Sequence, residues 1–292
     1  MTDTALEAVL RRDRAVVAAA LVVIAVLAWA YVLWLAADMS MPATPAQAGG
    51  DMAGMNMSDP STMDMSGMDM PGMDMGEAVA PAFRAWAAAD FGFIFAMWAV
   101  MMVGMMTPSV APMLLLYAGV GRKAAASGRT IASTGWFFSG YLLVWIGFSL
   151  AATGAQWLLA RLALLDPMMA TNSGILGGVI LIAAGIYQWT PMKGVCLSQC
   201  QAPIAFLTRH GGFRTAPLGA LRLGIAHGAY CLGCCWALMA LLFVGGVMNV
   251  LWIAAIAILI LLEKTVPTGR ALPRISGAVM VATGVWLLAG AG

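Results

Sequence analysis

Charge is what this chain has least of. Of its 292 residues, 10% are Asp, Glu, Lys or Arg and 62% are hydrophobic. A soluble domain carries about 25% charged residues. The shortage excludes a soluble globular domain and predicts an all-α, polytopic membrane helix bundle. Histidine is nearly absent, with two residues, and cysteine is limited to five. No Walker motif occurs, and no soluble stretch is long enough for an ATPase domain. Basic residues form no array that would suit nucleic acid; they are scattered through short loops.

Long apolar runs are abundant. Seven lie at about 15–37, 91–119, 131–153, 173–190, 223–247, 250–266 and 275–290. They predict about seven transmembrane helices. Thirteen of the 15 basic residues fall on one side of that arrangement; Arg84 and Arg161 are the exceptions. The positive-inside rule makes that side cytoplasmic, with the N-terminus inside and the C-terminus outside. The chain then divides into an uncleaved anchor at 1–37, an exported loop at 38–77 and a six-helix membrane core at 78–292.

The exported loop reads DMSMPATPAQAGGDMAGMNMSDPSTMDMSGMDMPGMDMGE. Eleven of its 40 residues are methionine, and none is aromatic. Gly, Pro, Ser and Asp fill most of the rest, so it has no apolar pattern with which to bury a core. Met55, Met57, Met63, Met65, Met68, Met70, Met73 and Met75 are spaced as MxM and MxxM. Such spacing lets two or three thioethers converge on one ion without a fold. Thioethers are soft and uncharged; they suit Cu(I), whereas zinc is less well served. The loop resembles the methionine-rich motifs of periplasmic copper-resistance proteins, without the histidines that often accompany them.

Soft ligands recur inside the spans. Met97, Met101 and Met105 repeat at i, i+4, i+8 on one helical face, with Met106 on the adjacent row ahead of Pro108 and Pro112. The prolines predict a kink, and broken membrane helices line cavities. Cys196 and Cys200 stand four apart at the end of the fourth run, and Lys193 beside them reads as a marker of the cytoplasmic surface. The fifth run holds His227, Cys231, Cys234 and Cys235. Imidazole and two thiols share one face there, though Cys234 and Cys235 point about 100° apart on a helix. Glu263, near the end of the sixth run, is a further candidate ligand, or a snorkelling partner of Lys264.

The blocks MMTPSVAPM, YQWTPMKGVCLSQCQAP, HGAYCLGCCWALM and GGVMNVLWIAAIAILILLEK resemble, in the same order, those of the domain of unknown function 2182 family. These are predicted metal-binding integral membrane proteins, and the resemblance spans about residues 91–290. It implies a bound metal and no assigned reaction; the first span and the Met-rich loop lie outside it.

Together these features predict a copper-binding protein of the bacterial inner membrane, for Cu(I) uptake or delivery to a membrane cuproenzyme. The expected partners are the bilayer, the metal ion and a periplasmic copper chaperone or membrane cuproenzyme; self-association is compatible with the small-residue helix faces. No enzymatic role is required. The alternatives are a membrane thiol–disulfide oxidoreductase using CLGC, Cys231 to Cys234, and an assembly subunit of a membrane complex. A peptide of residues 51–76 should hold Cu(I) against a micromolar chelator; release of all the copper would remove the loop from the metal pathway.

Overall fold

The computed structural model describes residues 3–40, 87–128, 130–166, 169–266 and 269–290. The Met-rich loop, with Met55, Met57, Met63, Met65, Met68, Met70, Met73 and Met75, lies outside the described residues. Among the described residues every regular element is a helix. An apolar sequence with few charges satisfies its backbone polar groups within each segment this way.

Two long helices come first, α1 (Asp3–Ser40) and α2 (Ala88–Ala126). The start of α2 is closed by Asp90, whose Oδ2 accepts from the Ala87 amide at 2.8 Å. Although the sequence suggests a break, α2 continues as helix across Pro108 and Pro112. Next come α3 (Thr134–Arg161), α4 (Gly174–Gln188) and α5 (Pro191–Gln201). The last two are bent by 65°. The bend has a local cause. Thr190 leaves helical geometry and caps α5, its Oγ1 accepting from the Lys193 amide at 3.3 Å, with Pro191 in the first helical position.

A short helix, α6 (Pro203–Arg209), leads to α7 (Pro217–Ala240) and its continuation α8 (Leu242–Gly245). A turn through Gly246, at φ 93°, reverses the chain. Asn249 then caps α9 (Val250–Thr265), and α10 (Ala271–Gly290) closes the bundle. Among the described residues five helices are long and apolar enough to cross a membrane, or six if the bent α4–α5 pair is one span. The sequence predicts seven spans. The run at 250–266 becomes α9, 16 residues long, which covers about 24 Å of a core about 30 Å thick.

Glycine sets the closest helix contacts. A Cβ on Gly224 of α7 would collide with the Phe137 carbonyl of α3, and one on Gly140 of α3 with the Leu221 carbonyl of α7. The α4–α10 pair repeats the device twice, Gly178 facing Gly284 and Gly185 facing Gly277. Small residues let backbones approach where apolar solvent supplies little drive to associate. Because α3 meets α7 backbone to backbone, Tyr141 is carried into the cysteine-bearing face. Gly224→Val should destabilise the bundle by at least about 3 kcal/mol through overpacking. Gly147→Ala, whose added Cβ meets open space, should not lower the thermal midpoint in detergent.

Candidate metal centre

The three cysteines of α7 are all buried, Cys231 at 2% exposure and Cys234 and Cys235 at 1%. All five cysteines are free thiols. Helical spacing lets the Cys234 and Cys235 thiols donate back to the Cys231 carbonyl, each at 3.0 Å. The bend after α4 aims α5 across α7 and brings the second cysteine pair to the first. Cys196 lies against Gly233, its Sγ 2.8 Å from where a Cβ would stand. Any larger residue at 233 would push Cys196 away. Tyr187 donates to the Gly233 carbonyl and fixes α4 against the same turn.

Cys200 reaches further in. It is a near neighbour of both Cys231 and Cys234, close enough for the three thiols to influence one another. Of the adjacent pair, Cys234 is the one whose surroundings include Cys200. Among the described residues no group of three or more His, Cys, Asp and Glu side chains stands ready to hold a metal ion. The thiols offer pairs instead, and sulfur pairs suit a soft, low-coordinate ion such as Cu(I).

His227, one turn before Cys231, is 3% exposed. Its ring packs on Phe206, Phe137 and Tyr141, with centroids 4.9, 5.8 and 6.1 Å away. Its Nδ1 finds no hydrogen-bond partner among the described residues. A buried donor–acceptor left empty is costly unless something else fills it, and a neutral imidazole nitrogen is a metal ligand. The donor set of buried thiols plus one unsatisfied imidazole therefore fits a soft metal ion.

The methionines of α2 separate by face. Gly104 meets Ala28 of α1, with its absent Cβ 3.0 Å from the Ala28 Cβ. Helical geometry puts Met101 within about 60° of that direction. Met106 is on the opposite side. Its carbonyl accepts from the Tyr141 hydroxyl at 3.3 Å and from Ser109 Oγ at 2.9 Å. Tyr141 Oη also stands 3.1 Å from Cys231 Sγ. Met106 thus borders the thiol cluster. Met101 faces α1, and Met105, buried in the same core, stands between the two directions.

Glu263 belongs to a different network. Its Oε2 accepts from Lys193 Nζ at 2.6 Å; its Oε1 accepts from Gln188 Nε2 at 3.0 Å and Ser276 Oγ at 3.4 Å. Gln201 Nε2 donates to its carbonyl at 2.7 Å. Two readings of the sequence are corrected here. Lys193 is no surface marker; it is 1% exposed, because Glu263 compensates its charge. Lys264 is no snorkelling partner of Glu263. It is 7% exposed, and its Nζ donates to Cys231 Sγ at 2.9 Å and to Ser109 Oγ at 3.2 Å. Tyr141 lies outside the quoted blocks and escapes sequence reasoning altogether. Ser109 and Gln188 sit inside them, as both lysines do, but only the lysines also stand out as charges near the ends of apolar runs.

With the geometry in place, the chain can be set beside known proteins. It belongs to the PpoB2 family, described as a copper chaperone, whose family model matches residues 95–287. That stretch contains α3 to α9 in full, most of α2 and α10, and every cysteine and histidine discussed above. No curated protein and no solved structure matches the chain.

The Lys193–Glu263 pair gives a stability test. Glu263→Leu alone leaves an unpaired buried ammonium and should cost about 3–5 kcal/mol. Lys193→Met with Glu263→Leu should recover much of that loss in thermal unfolding. A double variant as unstable as the single would show that the pair is not one unit.

Proposed function

We propose that this member of the PpoB2 copper chaperone family carries Cu(I) in the bacterial inner membrane. The Met-rich loop takes the ion on the periplasmic side, and the thiols of α5 and α7 hold it within the bundle. The ion then goes to the cytoplasm or to a membrane cuproenzyme. One observation carries the reading: two separate cysteine clusters converge, the bend placing Cys196 of α5 against Gly233, between Cys231 and Cys234 of α7. Buried thiols gathered from two helices beside an unsatisfied imidazole form a soft donor set, and the family description names copper.

The sidedness rests on charge. Lys193 and Lys264 are buried and no longer report topology, yet eleven of the thirteen other basic residues still fall on the side read as cytoplasmic. The ligand order gives a direction. Neutral thioethers outside bind Cu(I) less strongly than thiolates within, so the ion moves inward along rising affinity without an ATPase. Met106 of α2, whose carbonyl shares Tyr141 with Cys231, is the thioether proposed to pass it on. His227 Nδ1 is a further donor beside Cys231. Tyr141 orients the Cys231 sulfur through its hydroxyl.

Metal analysis of detergent-purified protein tests this. The intact chain should retain copper. Deleting residues 38–77 should lower the stoichiometry and leave the copper of the bundle. Cys200→Ser and Cys231→Ser should each remove the copper that survives the deletion. Unchanged copper content in both variants would sink the proposal; labelling of Cys231 and Cys234 that follows redox state without metal would favour thiol–disulfide exchange.

A further inference from the structure

Glu263 and Lys264 are neighbours on α9 but face different partners. Glu263 is neutralised by Lys193 at 2.6 Å. Lys264 is therefore left as a buried ammonium with no carboxylate among the described residues. Its two acceptors are Cys231 Sγ at 2.9 Å and Ser109 Oγ at 3.2 Å. A buried charge persists only when it is paired and hydrogen-bonded. Sulfur is the only one of the two acceptors that can supply a negative charge.

We infer that Lys264 is the fixed counter-ion of the thiolate metal centre and selects a monovalent ion, Cu(I) or its stable stand-in Ag(I), over divalent ions. The inference rests on the proposal that these cysteines bind copper. The charge count is simple. The Cys231 sulfur is already the anion of Lys264, so one further thiol gives up its proton to solvent as Cu(I) forms two bonds to sulfur. The copper keeps its oxidation state, and the bis-thiolate complex carries one negative charge. The Lys264 ammonium cancels it, so the loaded site is neutral. A divalent ion on the same two thiolates makes a neutral complex and leaves Lys264 uncompensated. No ready-made third ligand group exists among the described residues to correct that. In a low-dielectric interior such an imbalance is strongly unfavourable. The ammonium also stays beside the sulfur rather than occupying the metal's place. Ser109 holds it from α2 while the other thiols approach from α5 and α7.

The test compares Cu(I), Ag(I) and Zn(II) affinities, by chelator competition, in detergent-purified full chains of wild type, Lys264→Met and Lys264→Arg. Lys264→Met should lose about 10- to 100-fold in Cu(I) and Ag(I) affinity, the scale of an outer-shell partner. Its Zn(II) affinity should hold or rise, and Lys264→Arg should keep the wild-type order. Tighter Cu(I) binding in Lys264→Met would mean that the ammonium only fills the metal's place, and would overturn the inference. So would unchanged Cu(I) binding, or a parallel fall for all three ions. Should Lys264→Met fail to fold, the wild type alone decides: Zn(II) held at the cysteines as tightly as Cu(I) overturns the inference. A Cys231→Ser chain that keeps its copper defeats the underlying proposal instead, whatever the lysine variants do.

Discussion

Among the described residues two buried lysines stand against one buried carboxylate, and much of the arrangement at this end of the bundle follows from that imbalance. Lys193 takes Glu263 at 2.6 Å. Gln188, Ser276 and Gln201 surround the same residue and tie α4, α5 and α10 to α9. Lys264 is thereby turned toward α2 and α7, where a cysteine sulfur accepts its hydrogen bond. The ion pair is a weak source of net stability, since desolvating both groups offsets much of their attraction. Its larger effect is directional: it fixes the rotation of α9 and hence the side on which Lys264 appears.

Close backbone contact does the rest of the positioning. Gly140 and Gly224 bring α3 onto α7, which sets Tyr141 over Cys231. Gly233 opens the space that Cys196 occupies. The 65° bend at Trp189 and Thr190 sends α5 across α7 rather than onward along α4. Without the bend, Cys196 and Cys200 would continue the α4 axis, whose main partner is α10. The site is thus a product of three helix crossings, each set by small residues or a cap.

The chemistry that results is soft and sparing. On the proposed function, thioethers of the Met-rich loop, thioethers along α2 and thiols in α5 and α7 form a series of rising affinity for Cu(I). A carrier must release its cargo as well as bind it. Paired thiols without a closed cage suit exchange between partners better than a rigid four-ligand site would. That agrees with a copper chaperone family spanning residues 95–287, with the loop and first helix outside the matched region.

The sequence by itself determined the class of this protein: scarce charge and long apolar runs demand helices that satisfy their own backbone. It also determined the ligand types, because every cysteine falls in two short clusters and helical spacing puts His227 and Cys231 on one face. Spacing along one helix says nothing about which second helix arrives, so it left open whether Cys234 or Cys235 faces the other pair. Only the tertiary structure brought Cys200 to Cys231 and Cys234, because a capped bend redirects α5. It also reassigned Lys193 and Lys264 from loop charges to buried ones. A lysine near the end of an apolar run can snorkel or pair, and the partner that decides between them lies on another helix, 70 residues away for Lys193 and 33 for Lys264.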